Sequence, residues 1–138
     1  MNYSLDTLLY GMQFRRLMEK EMQPVETDYG LYKIDVQILL YLKHAGEHNT
    51  SKDIMQLNMF TRGHISQSLS RLQKKGYVRM DRRCTHNYLT EEAGLVIRKI
   101  EKISRKIKAV VMEGITEEEQ KVLVSVARKM NSNIEKVL

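Results

Sequence analysis

Apolar positions recur at intervals of three and four through most of the chain and give way to alternation only once. Leu5, Leu8, Leu9 and Met12, then Leu17, Met18 and Met22, predict a first helix from Leu5 to about Met22. Pro24 and Gly30 bracket the loop that ends it. Lys33 to His44 predicts a second helix, closed by Gly46. Its centre, Ile34-Asp35-Val36-Gln37-Ile38-Leu39-Leu40-Tyr41-Leu42, is apolar on nearly every face, the mark of a buried central helix. Thr50-Ser51-Lys52-Asp53 has capping-box spacing and opens a short helix to about Leu57. Thr61 caps the next, which runs to Lys75 and stops at Gly76. Tyr77-Val78-Arg79-Met80 and Asn87-Tyr88-Leu89 are rich in strand formers and flank a polar, basic turn, which predicts a two-stranded hairpin. Thr90-Glu91-Glu92 then caps a long helix, where Val96, Ile100, Ile103, Ile107 and Val110 keep the 4-3-4-3 spacing of a heptad seam. Thr116-Glu117-Glu118-Glu119, a further capping box, opens a last helix with Val122, Leu123, Val126, Met130, Ile134 and Val137 on one side. One proline and seven glycines leave few breaks, so the expected fold is mainly α and a single domain over 1–138.

A short helix, a tight turn and a second amphipathic helix form a DNA-reading unit when the second helix exposes a polar face. At 100° per residue, Ile65, Leu69 and Leu72 fall together and must face the core. Gly63, Gln67, Ser70 and Lys74 fall opposite, flanked by His64, Ser66 and Arg71. Gln and Ser can bond base edges in a major groove, Arg and Lys can meet phosphates or guanines, and small residues let the backbone come close. Charge sharpens this picture. From Thr61 to His86 the chain holds Arg62, Arg71, Lys74, Lys75, Arg79, Arg82 and Arg83 against one acid, Asp81, which is +6, the formal net charge of all 138 residues. The remainder cancels to zero. A basic footprint so concentrated fits a surface that meets a polyanion.

Two blocks carry a family resemblance. Leu69-Ser70-Arg71-Leu72-Gln73-Lys74-Lys75-Gly76-Tyr77-Val78 ends the second helix, and Asp81-Arg82-Arg83 is followed after five residues by Leu89-Thr90-Glu91-Glu92-Ala93-Gly94. With the flanking helices in order, the chain resembles the MarR family of dimeric winged-helix transcription factors over essentially its whole length. The resemblance implies a winged helix-turn-helix with a two-stranded wing over about 32–90 and a helical dimerisation lobe from about 1–27 and 91–138. It implies a sequence-specific regulator that binds double-stranded DNA at a pseudo-palindromic operator as a homodimer. The DNA-binding residues would be Thr61, Arg62, Gly63, His64, Ser66, Gln67, Ser70, Arg71 and Lys74 on the helix, with Arg82 and Arg83 on the wing. Arg83 would enter the minor groove, with Asp81 orienting it through an ion pair. A small-molecule effector would bind where the dimer helices meet the DNA-binding part, and Tyr10, Met12, Phe14 and Tyr41 are candidates to line that crevice. The wing is shorter than usual between Val78 and Asp81, and Asn58-Met59 occupy a turn that in the family often holds an apolar residue and a glycine. The alternative is a winged-helix module that binds protein or RNA, its basic face merely solvated.

Other chemistry finds little footing. No run of residues approaches a membrane span, Asp6 stands where a signal peptide carries a cation, and one cysteine excludes an internal disulfide, so a cytoplasmic location is expected. Cys84 sits among Arg82, Arg83 and His86, surroundings that lower a thiol pKa, yet it reads as an incidental wing residue. His44 and His48 are four apart but separated by Gly46, and no third ligand is obvious, so neither a metal nor another cofactor is expected. The chain has no phosphate-cradling loop, nucleophile elbow or HExxH, and is read as no enzyme.

Overall fold

The computed structural model describes residue 5 and residues 13–57, 59–81, 83 and 85–138. Helices α1 (Gln13–Tyr29), α2 (Lys33–Ala45), α3 (Ser51–Met55) and α4 (Arg62–Lys74) precede a hairpin of β1 (Val78–Asp81) and β2 (His86–Leu89). A 3-10 turn, Glu91–Ala93, leads into α5 (Gly94–Val111), and α6 (Glu117–Glu135) follows. The chain separates into two compact units, one ending at Ile107 and one from Lys108 to Leu138.

The first unit closes around Ile38, Leu39, Ile54, Ile65, Leu72, Val96 and Ile100, all fully buried. The expected central helix is indeed central: α2 buries Asp35, Val36, Ile38, Leu39 and Leu42. Helices α1 and α5, expected as dimerisation helices, each bury one side in this same core, through Met22 and Val25 and through Val96, Ile97, Ile100 and Ile107.

Two expectations change. Helix α1 does not end before Pro24 but runs through it to Tyr29. Pro24 has no N–H for the carbonyl one turn back, a defect of about 3 kcal/mol. Met22 and Val25 on either side of it are buried, and at roughly 1.5–3 kcal/mol each their burial outweighs the loss. The Leu5–Met12 start of the expected helix lies, apart from Leu5, outside the described residues. The α5 seam is also not an uncovered dimer stripe, since Val96, Ile100 and Ile107 are buried and Ile103 packs against the chain's own core. Periodicity marks a face that must be covered without telling what covers it. Val110 alone of the seam stays 56% exposed. The uncovered apolar face belongs to α6, which buries no residue. There Val122, Leu123, Val126, Met130 and Ile134 are all exposed.

The local caps form as their spacing demands. Thr50 Oγ1 accepts from the Asp53 N–H at 3.1 Å while Asp53 accepts from the Thr50 N–H at 3.1 Å. Thr116 and Glu119 make the same reciprocal pair. The Thr50 hydroxyl and amide hold the Asp53 carboxyl below its ordinary pKa, and the Thr116 amide and hydroxyl do so for Glu119. A carboxyl depressed in the folded state contributes stability above its unfolded pKa and loses it as pH falls through the folded one. Acidification below about pH 4 is therefore expected to loosen the starts of α3 and α6. Thermal unfolding of Asp53→Asn/Glu119→Gln should depend less steeply on pH there than the parent, and an identical slope would refute the assignment.

Candidate nucleic-acid interface

Helix α4 is built with two faces. Ile65, Ser68, Leu69 and Leu72 are buried, while Thr61, Arg62, Gly63, His64, Ser66, Gln67, Ser70 and Lys74 are exposed. Thr61 caps the start, its Oγ1 accepting from the His64 N–H at 3.2 Å. The end is a Schellman stop: Gly76, at φ 80°, donates to the Gln73 carbonyl at 3.0 Å and Tyr77 to that of Leu72 at 2.9 Å. Nothing stands within 4 Å of where a Cβ on Gly63 would lie, so the backbone there is open to an approaching surface.

Arg71 differs from its neighbours. Its Nη2 donates to Asp35 Oδ1 at 2.8 Å and its Nε to Oδ2 at 3.3 Å, and its guanidinium stacks 4.5 Å from the centre of the exposed Tyr32 ring. Asp35 is wholly buried and also accepts from Ser68 Oγ at 2.5 Å and the Tyr32 N–H at 2.9 Å. The guanidinium expected to face a polyanion is thus turned to a carboxylate on α2, with 32% of its side chain still exposed.

In the hairpin, Arg79 pairs with Tyr88 and Asp81 with His86, alternating with Val78–Leu89 and Met80–Asn87. Strand alternation sends the two sets to opposite faces. Val78 and Asn87 are buried; Arg79 and Tyr88 are exposed, the guanidinium 4.9 Å above the ring centre. Asp81 meets Arg83, its Oδ1 accepting from the Arg83 N–H at 2.9 Å. The turn closes with the Thr85 N–H on the Asp81 carbonyl at 2.8 Å and Thr85 at φ 58°. Arg83 is exposed, and Arg82 and Cys84 lie outside the described residues.

The root of the wing is held by groups that sequence reasoning missed. Asn49 Nδ2 donates to the Asn87 carbonyl at 2.8 Å and Asn87 Nδ2 to the Asn49 carbonyl at 2.9 Å, both side chains buried. Asn49 Oδ1 faces His86 Nδ1. Thr90 Oγ1 does not cap the following helix but donates to the Gly76 carbonyl at 2.5 Å, tying the end of β2 to the end of α4. The only signals for these pairs were asparagines beside strand-forming residues, and their partners lie far away in sequence.

Of the four effector candidates, Phe14 and Tyr41 fall among the described residues. Tyr10 and Met12 lie outside the described residues; Phe14 is 58% exposed. The Tyr41 hydroxyl donates to the His48 carbonyl at 2.6 Å, and burial, with the Asp53 charge second, raises its pKa. An open depression of about 370 Å³ between α1 and α2 is lined by Arg16, Glu19, Lys20, Gln23, Glu26 and Lys33, none of them a candidate. His44 approaches Glu101 at 4.0 Å. Among the described residues, no three His, Cys, Asp or Glu side chains converge as a metal site, and no helix is long and apolar enough to cross a membrane.

Residues 31–93 match the winged helix DNA-binding domain family. No curated protein matches the chain in sequence. Among solved structures, the transcriptional regulator PA3341 superposes with a TM-score of 0.82 at 26% identity, over 96% of this chain and 99% of that one. A MarR family transcriptional regulator from Silicibacter pomeroyi gives 0.75 at 24% identity, over 94% and 87%. A MarR family protein from Mycobacterium tuberculosis, solved in complex with DNA, gives 0.64 at 19%, over 94% and 98%.

Proposed function

The chain has the fold of the MarR family of transcriptional regulators, with a winged helix DNA-binding domain at residues 31–93, and on that premise we propose that it regulates transcription by binding double-stranded DNA as a homodimer. The observation that carries the reading is the two-faced α4: Thr61, Arg62, Gly63, His64, Ser66, Gln67, Ser70 and Lys74 are exposed, while Ile65, Leu69 and Leu72 are buried. In this reading Gln67 bonds an adenine edge, Ser66 and Ser70 bond base edges or phosphates, and Arg62, His64 and Lys74 meet phosphates. Arg83, with Arg82, tracks the minor groove from the wing. A two-fold dimer sets two such helices into major grooves about 34 Å apart, so the operator is pseudo-palindromic with half-sites about 10 base pairs apart. A small-molecule effector that alters the surroundings of Tyr10, Met12, Phe14 and Tyr41 would act on the same unit.

Selection from random duplexes followed by footprinting tests this. The expected product is a two-fold repeat protected on both halves, bound with a steep salt dependence. Gln67→Ala should then cost about 1–3 kcal/mol per half-site on that operator and little on random DNA. Arg83→Ala should weaken both and flatten the salt slope by about one unit per lost contact. Duplexes bound without any sequence preference, or not at all, would overturn the reading in favour of a protein- or RNA-binding module.

Gly63 gives a sharper test of contact. Alanine has room in the free protein and better helix propensity by roughly 0.5–1 kcal/mol. Gly63→Ala is expected to raise the melting temperature slightly while weakening operator binding. Unchanged affinity would mean the backbone at Gly63 does not approach the bases.

A further inference from the structure

Asp35 sits where the pattern of α2 calls for an apolar side chain. Its neighbours Val36, Ile38 and Leu39 are buried with it, and its own exposure is 0%. A buried ion pair is seldom worth more than apolar packing of the same volume, because two charges must leave water. What it supplies that packing cannot is direction. Leu69 and Leu72 press α4 onto the core through contacts that tolerate sliding and rotation. The Asp35 carboxylate holds the same helix through three directional bonds, from Ser68 Oγ at 2.5 Å, Arg71 Nη2 at 2.8 Å and Arg71 Nε at 3.3 Å. Asp35 is itself fixed, since it accepts from the Tyr32 N–H at the start of α2. One turn further, just past the end of α4, Lys75 Nζ donates to the Tyr29 carbonyl at the end of α1 at 3.1 Å. Two cations, Arg71 near the end of α4 and Lys75 at its C-cap, thus hold both sides of the α1–α2 corner.

We propose that Asp35 is a positioning residue for DNA reading: acting through Ser68 and Arg71, it fixes the rotation and height of α4 so that Gln67 and Ser70 reach base edges. This rests on α4 being the DNA-reading helix. Hydrogen bonds to base edges weaken steeply with displacement and angle, so selectivity depends on helix pose. Attraction to phosphates is long-ranged and tolerates a shifted helix. Loss of the anchor should therefore reduce selection between sequences more than binding as such. Arg71 then contributes to recognition without touching DNA, which separates it from Lys74 on the outer face.

The test compares operator and random-duplex affinities for the parent, Asp35→Asn, Ser68→Ala and Arg71→Lys, each at a temperature where the variant is fully folded. Asp35 and Ser68 are wholly buried and cannot contact DNA from where they stand. The Arg71→Lys change keeps the charge but not the fork that meets both carboxylate oxygens. Expected is a fall of about tenfold in operator affinity, with random-duplex affinity changed less than twofold, in all three variants. A merely structural role would lower the melting temperature and leave the selectivity of the folded protein intact; that result in Asp35→Asn and Ser68→Ala overturns the proposal. Should Asp35→Asn not fold, Ser68→Ala and Arg71→Lys decide it alone. A parent that selects no sequence would refute the functional reading instead, so the two failures are distinct.

Discussion

Leu123→Asp/Val126→Asp in α6 is expected to leave a folded monomer that no longer binds the operator. Both side chains are largely exposed in the single chain, at 57% and 46%, so the substitutions disturb no packed core and the secondary structure should survive. In a homodimer held by this face, the two carboxylates of each protomer would be buried without partners. Unpaired ionised groups in an apolar interface are penalised by several kcal/mol each, which is comparable to the free energy of a micromolar dimer, about 8 kcal/mol. A monomer presents one α4 to one half-site and loses the gain of roughly 100- to 10,000-fold that linking two sites provides. Sedimentation at micromolar concentration and operator titration check both halves of the claim. A variant that stays dimeric would move the interface away from α6, and a monomer that still binds the operator at parental affinity would remove the need for a dimer.

The single substitution Arg71→Met is expected to destabilise the protein by roughly 3 kcal/mol, the low end for a broken buried pair. It strands the Asp35 carboxylate, which is 0% exposed, with only the Tyr32 amide and the Ser68 hydroxyl as donors. Those two donors are why the cost should not reach the upper end. Adding Asp35→Leu and Ser68→Ala removes the stranded charge and the hydroxyl together, and should recover most of the loss, because apolar groups of similar volume replace ions that had to be desolvated. Urea unfolding of the single and triple variants measures this as a shift in midpoint at constant slope. A triple variant no more stable than the single one would show that the cost came from lost packing of the Arg71 stem and not from the stranded charge.

What the sequence revealed follows the range of the interactions. Thr50 with Asp53, Thr61 with His64 and Thr116 with Glu119 bond across three residues, so spacing alone exposed them. The faces of α4 were equally plain, because Ile65, Leu69 and Leu72 recur within one helix. Asp35 was hidden: its partners Ser68 and Arg71 lie 33 and 36 positions away, and a lone acid in an apolar run does not announce a distant cation. Asn49 and Asn87 are 38 apart and were invisible for the same reason. Arg71 was placed on the flank of the outward face because a helical wheel gives an angle only, whereas its long side chain reaches across to Asp35 on α2. Pro24 misled in the opposite sense, since a local breaking rule was overridden by burial that only the tertiary fold supplies. The α5 seam was recognised as apolar correctly, but its partner was the chain's own core.

The two asparagines at the wing root give the hairpin the mechanics of a beam clamped at one end. Crossed amides fix Asn87 to Asn49, and the bridge between Thr50 and His86 extends the clamp to the first residue of β2. For a clamped beam, displacement under load is least at the support and grows towards the free end. A short beam is stiff, so a tip that enters the minor groove at Arg83, as proposed, would follow a groove that widens or narrows with base sequence only by bending against that support. On the proposed reading, variation in groove width along the DNA would thereby be converted into elastic work in the protein. Operators whose minor groove already matches the resting height of the tip would be bound at less mechanical cost than those that must be met by flexing the wing.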